Sequence, residues 1–133
     1  MVAVELKDDV YRRRVILAVG SVKELKEMLT RSYGKGAARG IPNDAGGMMH
    51  TFKWYSEDFP EMGKKSKVFV IWLLRFTLTP LDISTLAHEC FHCASAVLDE
   101  LGVDTDDSEG SEALAYYLDS LVRRSLIALG GSP

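Results

Sequence analysis

The sequence is poor in cysteine, in long apolar runs and in charge of one sign, and each shortage removes a class of protein. Only two cysteines occur, Cys90 and Cys93, three apart within an apolar helical pattern. A disulfide framework of the kind that staples small secreted domains is therefore not expected. The longest apolar run, Val68 to Leu74, falls well short of the ~20 residues that cross a bilayer as a helix. The N-terminal MVAVELKDD carries acidic residues where a signal peptide has its apolar core. No membrane partner is expected, and the expected setting is the reducing cytoplasm. The formal net charge is -3, so no basic footprint covers the surface and no nucleic-acid partner is expected. The short basic runs at Arg12-Arg13-Arg14 and Lys64-Lys65 read as a solvated strand face and a charged turn. With 133 residues, 47% of them hydrophobic and 26% charged, the chain has the balance of one folded domain spanning 1-133, with little room for a second. It contains no internal repeat and no low-complexity segment.

Periodicity and turn chemistry order the chain as β-α-β-β-α-α. Tyr11 to Val19 is rich in β-branched and apolar residues and closes on Gly20, which predicts a strand. Ser21-x-x-Glu24 matches a capping box, and Val22, Leu25, Met28 and Leu29 recur at helical spacing, so a helix is predicted to about Tyr33. Gly34 to Gly47 holds five glycines, Pro42 and an Asn-Asp pair, marking a loop. A phosphate-binding loop is disfavoured there, because such loops follow a strand and open a helix, and this one follows a helix. Met48 to Tyr55 and Lys67 to Thr77 are predicted strands, with residues 56-66 as a hairpin connection. Val68 to Leu74 is apolar at odd and even positions alike, as in a central strand covered on both faces or one with a face in a partner contact. Thr79-Pro80-Leu81-Asp82 predicts a helix start, with Thr79 as cap, Pro80 in the first turn and Asp82 closing the box. That helix runs to Leu101 and stops at Gly102. After an acidic loop from Val103 to Ser108, whose spacing does not fit an EF-hand, a last helix carries Leu114, Leu118, Leu121, Val122 and Leu126 as its buried stripe and ends at Gly130. The fold class is α+β, a small antiparallel or mixed sheet packed against helices.

His88-Glu89-Cys90-Phe91-His92 is the most informative stretch. Positions four apart on a helix lie one turn above each other, so both imidazoles can reach one ion, and neutral imidazole is a good zinc ligand. Glu89 is rotated by roughly a quarter-turn from His88, beside the metal rather than on it, where it can take a proton from bound water. Two histidines and a glutamate amid Leu86-Ala87 and Ala94-Val97-Leu98 are costly to bury without a partner. The competing reading is a chance spacing of two histidines.

A catalytic zinc needs a third protein ligand and one open position. No histidine follows His92, and Asp99 lies about 10 Å further along the same helix, too far to share the ion. A carboxylate on the following helix is the remaining solution; Glu112 is the preferred candidate and Glu109 the rival, since an acidic residue at a helix start already complements the helix dipole. Cys90 and Cys93 read as small core residues rather than ligands or a redox pair. A deaminase signature fails because His and Glu are adjacent here and the cysteines share their helix.

His88-Glu89-x-x-His92 followed by Ser111-Glu112-Ala113-Leu114-Ala115-Tyr116 resembles the gluzincin branch of the zinc metallopeptidases, and most of all its short, often phage-encoded members. The resemblance covers residues 79-126. It implies a zincin-like minimal core, one zinc ion per chain held by His88, His92 and Glu112, and a peptide or protein substrate hydrolysed by Glu89-activated water. Some gluzincins place an aspartate four residues after the third ligand; here that position is Tyr116, whose phenol either takes over that contact or faces the reacting carbonyl, making it a second catalytic candidate. Tyr117 and His50 are further candidates for stabilising the oxyanion. In zincins the substrate commonly lies as an added strand beside the sheet edge; the expected edge here is Met48 to Tyr55, with His50 near the site. The alternative reading is a zincin-like binding or regulatory module whose metal site is structural or inactive. Peptide-deformylase chemistry is disfavoured, because its cysteine ligand lies upstream and no cysteine precedes Cys90.

Overall fold

The most apolar segment of the sequence becomes the centre of the sheet. In a computed structural model that describes residues 1-8, 10-54 and 66-130, four strands pair in the order β1-β2-β4-β3: β1 Val2–Leu6, β2 Arg14–Val19, β3 Gly47–Trp54 and β4 Ser66–Leu73. β2 and β4 are parallel, while β1 and β3 run antiparallel to their neighbours at the two edges. The doubly apolar β4 is covered on both sides. Phe69, Ile71 and Leu73 pack under the two C-terminal helices, and Val68, Val70 and Trp72 pack under the first helix. All six are at most 1% exposed, and each such side chain contributes about 1.5–3 kcal/mol by leaving water. The small mixed sheet with three helices agrees with the expected α+β class. The predicted hairpin connection lies outside the described residues.

Helix α1, Val22–Tyr33, forms as its caps dictate. Ser21 Oγ accepts from Glu24 N–H at 3.1 Å and Glu24 accepts from Ser21 N–H at 3.0 Å, which completes the capping box. Leu25 and Leu29, one turn apart, are fully buried against the sheet. Within the predicted loop, Lys35–Ala38 winds into a single 3-10 turn.

Two strand boundaries differ from the sequence reading by three residues or more. The strand predicted from Tyr11 begins at Arg14, because the Asp8 carboxylate accepts from the N–H groups of Val10, Tyr11 and Arg13 and holds that stretch as a turn. This is the local side-chain competition that makes aspartate a strand breaker. The strand predicted to Thr77 ends at Leu73. Beyond it, Thr77 N–H and Oγ1 both donate to Asp82 Oδ2 at 2.7 Å. Asp82 therefore does not close a capping box onto Thr79. It reaches back past the cap, and these bonds hold its carboxyl below the usual carboxylate range. They also fix the turn in which Leu78 takes φ 58°, a left-handed conformation that costs a side chain about 1–2 kcal/mol. Strand β1 was absent from the sequence reading.

Helix α2, Pro80–Glu100, starts where predicted: Thr79 Oγ1 accepts from Asp82 N–H and Pro80 occupies the first turn. It ends with Gly102 at φ 74°. Helix α3, Ser108–Ala128, is capped by Asp107, which accepts from Gly110 N–H. Its most buried side chains are Tyr117, Leu121 and Ser125, with the predicted Leu114, Leu118, Val122 and Leu126 packing at the margin of the same core. No helix among the described residues is long and apolar enough to cross a membrane.

Candidate metal centre

The spacing of apolar residues on α2 decides which side chains reach solvent. Leu86, Cys90, Cys93, Ala94 and Val97 form the stripe buried against the sheet and α3. The opposite side carries His88, Phe91 and His92, all exposed. Glu89 falls at the border between the two and is 8% exposed, next to the edge strand β3.

The two imidazoles converge. His88 Nε2 and His92 Nε2 lie 3.1 Å apart, with the rings edge-to-face at a centroid distance of 4.6 Å. Two nitrogens bound to one zinc at about 2.0–2.1 Å in tetrahedral geometry stand about 3.3 Å from each other. The pair therefore fits two positions of such an ion with little adjustment. Glu89 Oε1 is 4.0 Å from His88 Nε2. Glu89 and His92 together with Gly47, Met48 and Met49 line an open cavity of about 390 Å³. The HExxH face of α2 is thus set directly beside the first three residues of the sheet edge.

Among the described residues, no further strand pairs with that edge. Leu74 N–H donates to Gly46 O, which with the antiparallel register places Met48, His50 and Phe52 in the pairs bonded to β4. The backbone groups of Gly47, Met49, Thr51 and Lys53 consequently point away from the sheet. The expected edge strand is in place, but His50 is not near the site. It pairs with Val70 and so lies on the α1 face of the sheet, where it is 6% exposed and its Nε2 is bonded to Ala37 O at 2.6 Å. Tyr117 is also committed elsewhere: its hydroxyl donates to Asp8 Oδ2 at 3.0 Å, and burial, then the nearby Asp8 charge, push its pKa up. Tyr116 is 72% exposed on the outer side of α3.

Glu112 stands apart from the pair in this arrangement. Cys90 Sγ touches Ser125 Oγ at 3.9 Å, which sets the turn of α3 around Ser125 against the HExxH turn of α2. Glu112 lies thirteen residues before Ser125, about 20 Å along the helix axis, and is exposed, as is the rival Glu109. Among the described residues, no three His, Cys, Asp or Glu side chains are gathered around a point that could hold a metal ion. Among the described residues, the donor set therefore fits zinc in its two imidazoles and holds no assembled third protein ligand. The cysteines do not supply it: both are buried, and burial, the dominant cause, pushes the Cys90 thiol up to about 12 and that of Cys93 higher still.

The sequence reading did not identify Gly47, Met48 and Met49 as the far wall of the site; the only signal was the place of Met48 and Met49 at the start of the predicted edge strand, with Gly47 closing the predicted loop. It also passed over a second concavity, of about 510 Å³, on the other side of the same strand. Comparison with known proteins adds no relative: no family model, no curated protein and no solved structure matches the chain.

Proposed function

We propose that this chain is a zinc-dependent metallohydrolase that cleaves peptides, with His88 and His92 as metal ligands and Glu89 as general base. The observation that carries the reading is the convergence of the two Nε2 atoms to 3.1 Å with the Glu89 carboxylate beside them, at the wall of a cavity bounded by a sheet edge with which no described strand pairs. Bound there, zinc would supply an acidified water and a Lewis acid for the carbonyl. Glu89, beside the two imidazoles, would accept a proton from water through its carboxylate and pass it to the leaving amine. The outward backbone groups of Gly47, Met49 and Thr51 bind the substrate as an added strand, which lays its scissile bond along the cavity wall. Glu112 remains the third ligand that the gluzincin resemblance implies, with Tyr116 one turn beyond it as the second catalytic candidate.

The experiment is digestion of a peptide library by zinc-reconstituted protein and by its Glu89→Gln and Glu112→Ala variants. Cleavage by the parent, its loss in Glu89→Gln with zinc retained, and loss of zinc in Glu112→Ala are the expected results. Unchanged cleavage by Glu89→Gln would remove the general base from the account.

A second reading is favoured by the Cys90–Ser125 contact. If α2 and α3 keep that register, the two histidines bind a metal without Glu112 and the domain is a peptide-binding or regulatory module. Peptide binding unaffected by Glu89→Gln, with no cleavage by the parent, distinguishes it.

A further inference from the structure

Helices α2 and α3 cover the same face of the sheet, and their outer sides carry the two halves of the proposed donor set apart from each other. On α2, His88 and His92 are exposed. Phe91, 45% exposed, stands beside the His92 ring at a centroid distance of 6.1 Å. On α3, Glu112 and Tyr116 lie one turn apart on the exposed side. Phe91 and Tyr116 are the exposed aromatic side chains among the described residues, so each half of the donor set has one as its neighbour. Exposed aromatics of this kind are enriched where proteins meet. The chain around Glu112 is acidic: residues 99-112 hold seven Asp or Glu and no Lys or Arg, and Asp104, Asp106, Asp107, Glu109 and Glu112 are exposed. Zinc on two neutral imidazoles is a net cation, and the start of α3 is the acidic surface that complements it.

We infer that the metal centre is shared between two copies of this chain, with Glu112 of one copy completing the zinc site held by His88 and His92 of the other. The inference rests on the reading of those three residues as zinc ligands. Within one chain, Glu112 stands about 20 Å along α3 from the turn that touches Cys90. Carrying it to its own histidines would draw Tyr117, Leu121 and Ser125, all at most 3% exposed, out of the core. A second copy brings its Glu112 to the exposed imidazoles with both cores intact. The arrangement also closes on itself. In a two-fold dimer each residue pair across the interface occurs twice, so two such sites form and each chain keeps one zinc. The Tyr116 that accompanies the incoming Glu112 then meets Phe91 beside His92, which covers the two exposed aromatics in the same contact.

The test is complementation between chains, read as mass and zinc content rather than turnover. The zinc-reconstituted parent, H88A/H92A, E112A and an equimolar mixture of the two variants are followed by sedimentation equilibrium, with elemental analysis after dialysis. The altered residues are exposed, so the variants should fold as the parent does. The zinc-loaded parent should be a dimer and fall to monomer in EDTA. Each variant alone should be monomeric and hold little zinc. The mixture should dimerise and recover about half a zinc per chain, because one of its two sites regains all three ligands. A zinc-loaded parent that stays monomeric, a mixture that gains no zinc, or full zinc in E112A alone overturns the inference. The same proteins test the underlying reading by itself. A monomeric parent that binds zinc and loses it in E112A keeps the three ligands within one chain, whereas a parent that binds none rejects the metal centre as well.

Discussion

Replacing Gly47 by alanine tests how closely the sheet edge is seated against the catalytic helix. A Cβ at this position meets Thr85 Cγ2 at 3.1 Å, Trp72 O at 3.3 Å and Leu73 Cδ2 at 3.4 Å. Two of these neighbours belong to β4 and the nearest belongs to α2, one turn before Glu89. The backbone conformation is not the obstacle, since Gly47 lies outside the positive-φ region. The cost is overpacking, typically 1–3 kcal/mol, offset by up to about 1 kcal/mol from the lower entropy of the unfolded alanine chain. The expected net loss is about 0.5–2 kcal/mol. Thr85→Ser removes the nearest atom and keeps the hydroxyl that donates to Leu81 O at 2.9 Å. In the double variant part of the loss should return, with a coupling of about 0.5 kcal/mol or more. Urea unfolding followed by tryptophan fluorescence measures all four proteins, and midpoints should shift at constant slope. A neutral or stabilising Gly47→Ala, or additive single effects, would refute the claimed contact between β3 and α2 and with it the cavity wall.

Tyr117→Phe should cost about 1–2 kcal/mol at neutral pH through loss of the charge-assisted bond to Asp8, measured by thermal unfolding. Because burial raises the folded pKa of Tyr117 above its ordinary value of 10.0, the parent should lose this part of its stability as pH rises past 10, where the unfolded chain ionises first. The phenylalanine variant should lack that alkaline loss, and identical alkaline profiles would contradict the assignment. Cys90 and Cys93, buried and with raised pKa values, should resist Ellman's reagent at pH 8 in native protein and react in denaturant. Rapid native reaction would show the α2 core to be open.

The elements most legible in the sequence were those with local instructions. The Ser21–Glu24 capping box and the Thr79-Pro80 start each act within one turn, and both are in place. β4 was readable because apolar residues at both parities leave few positions but the centre of a sheet. β1 was missed because Val2 and Val4 remain exposed at the sheet edge and Leu6 is its one buried residue. Its strand conformation comes from pairing with β2 rather than from its own pattern. The start of β2 depended on one carboxylate, Asp8, binding three backbone donors, and composition does not reveal that. Within the site, helical spacing sets His88 and His92 on one face of α2. The sheet face occupied by His50 depends on strand register, and the register of α3 against α2 depends on core contacts such as Cys90–Ser125. Those relations are tertiary, which is why spacing along one helix could not place His50 or Glu112 relative to His88 and His92.

The most direct test of the central claim is the zinc content of the parent protein and of His88→Ala/His92→Ala, by elemental analysis after reconstitution and gel filtration. Both histidines are exposed, so the double variant should fold as the parent does. The account predicts about one zinc per parent chain and none in the variant. A parent that binds no zinc, or a variant that retains it, would contradict the metal centre proposed at His88 and His92.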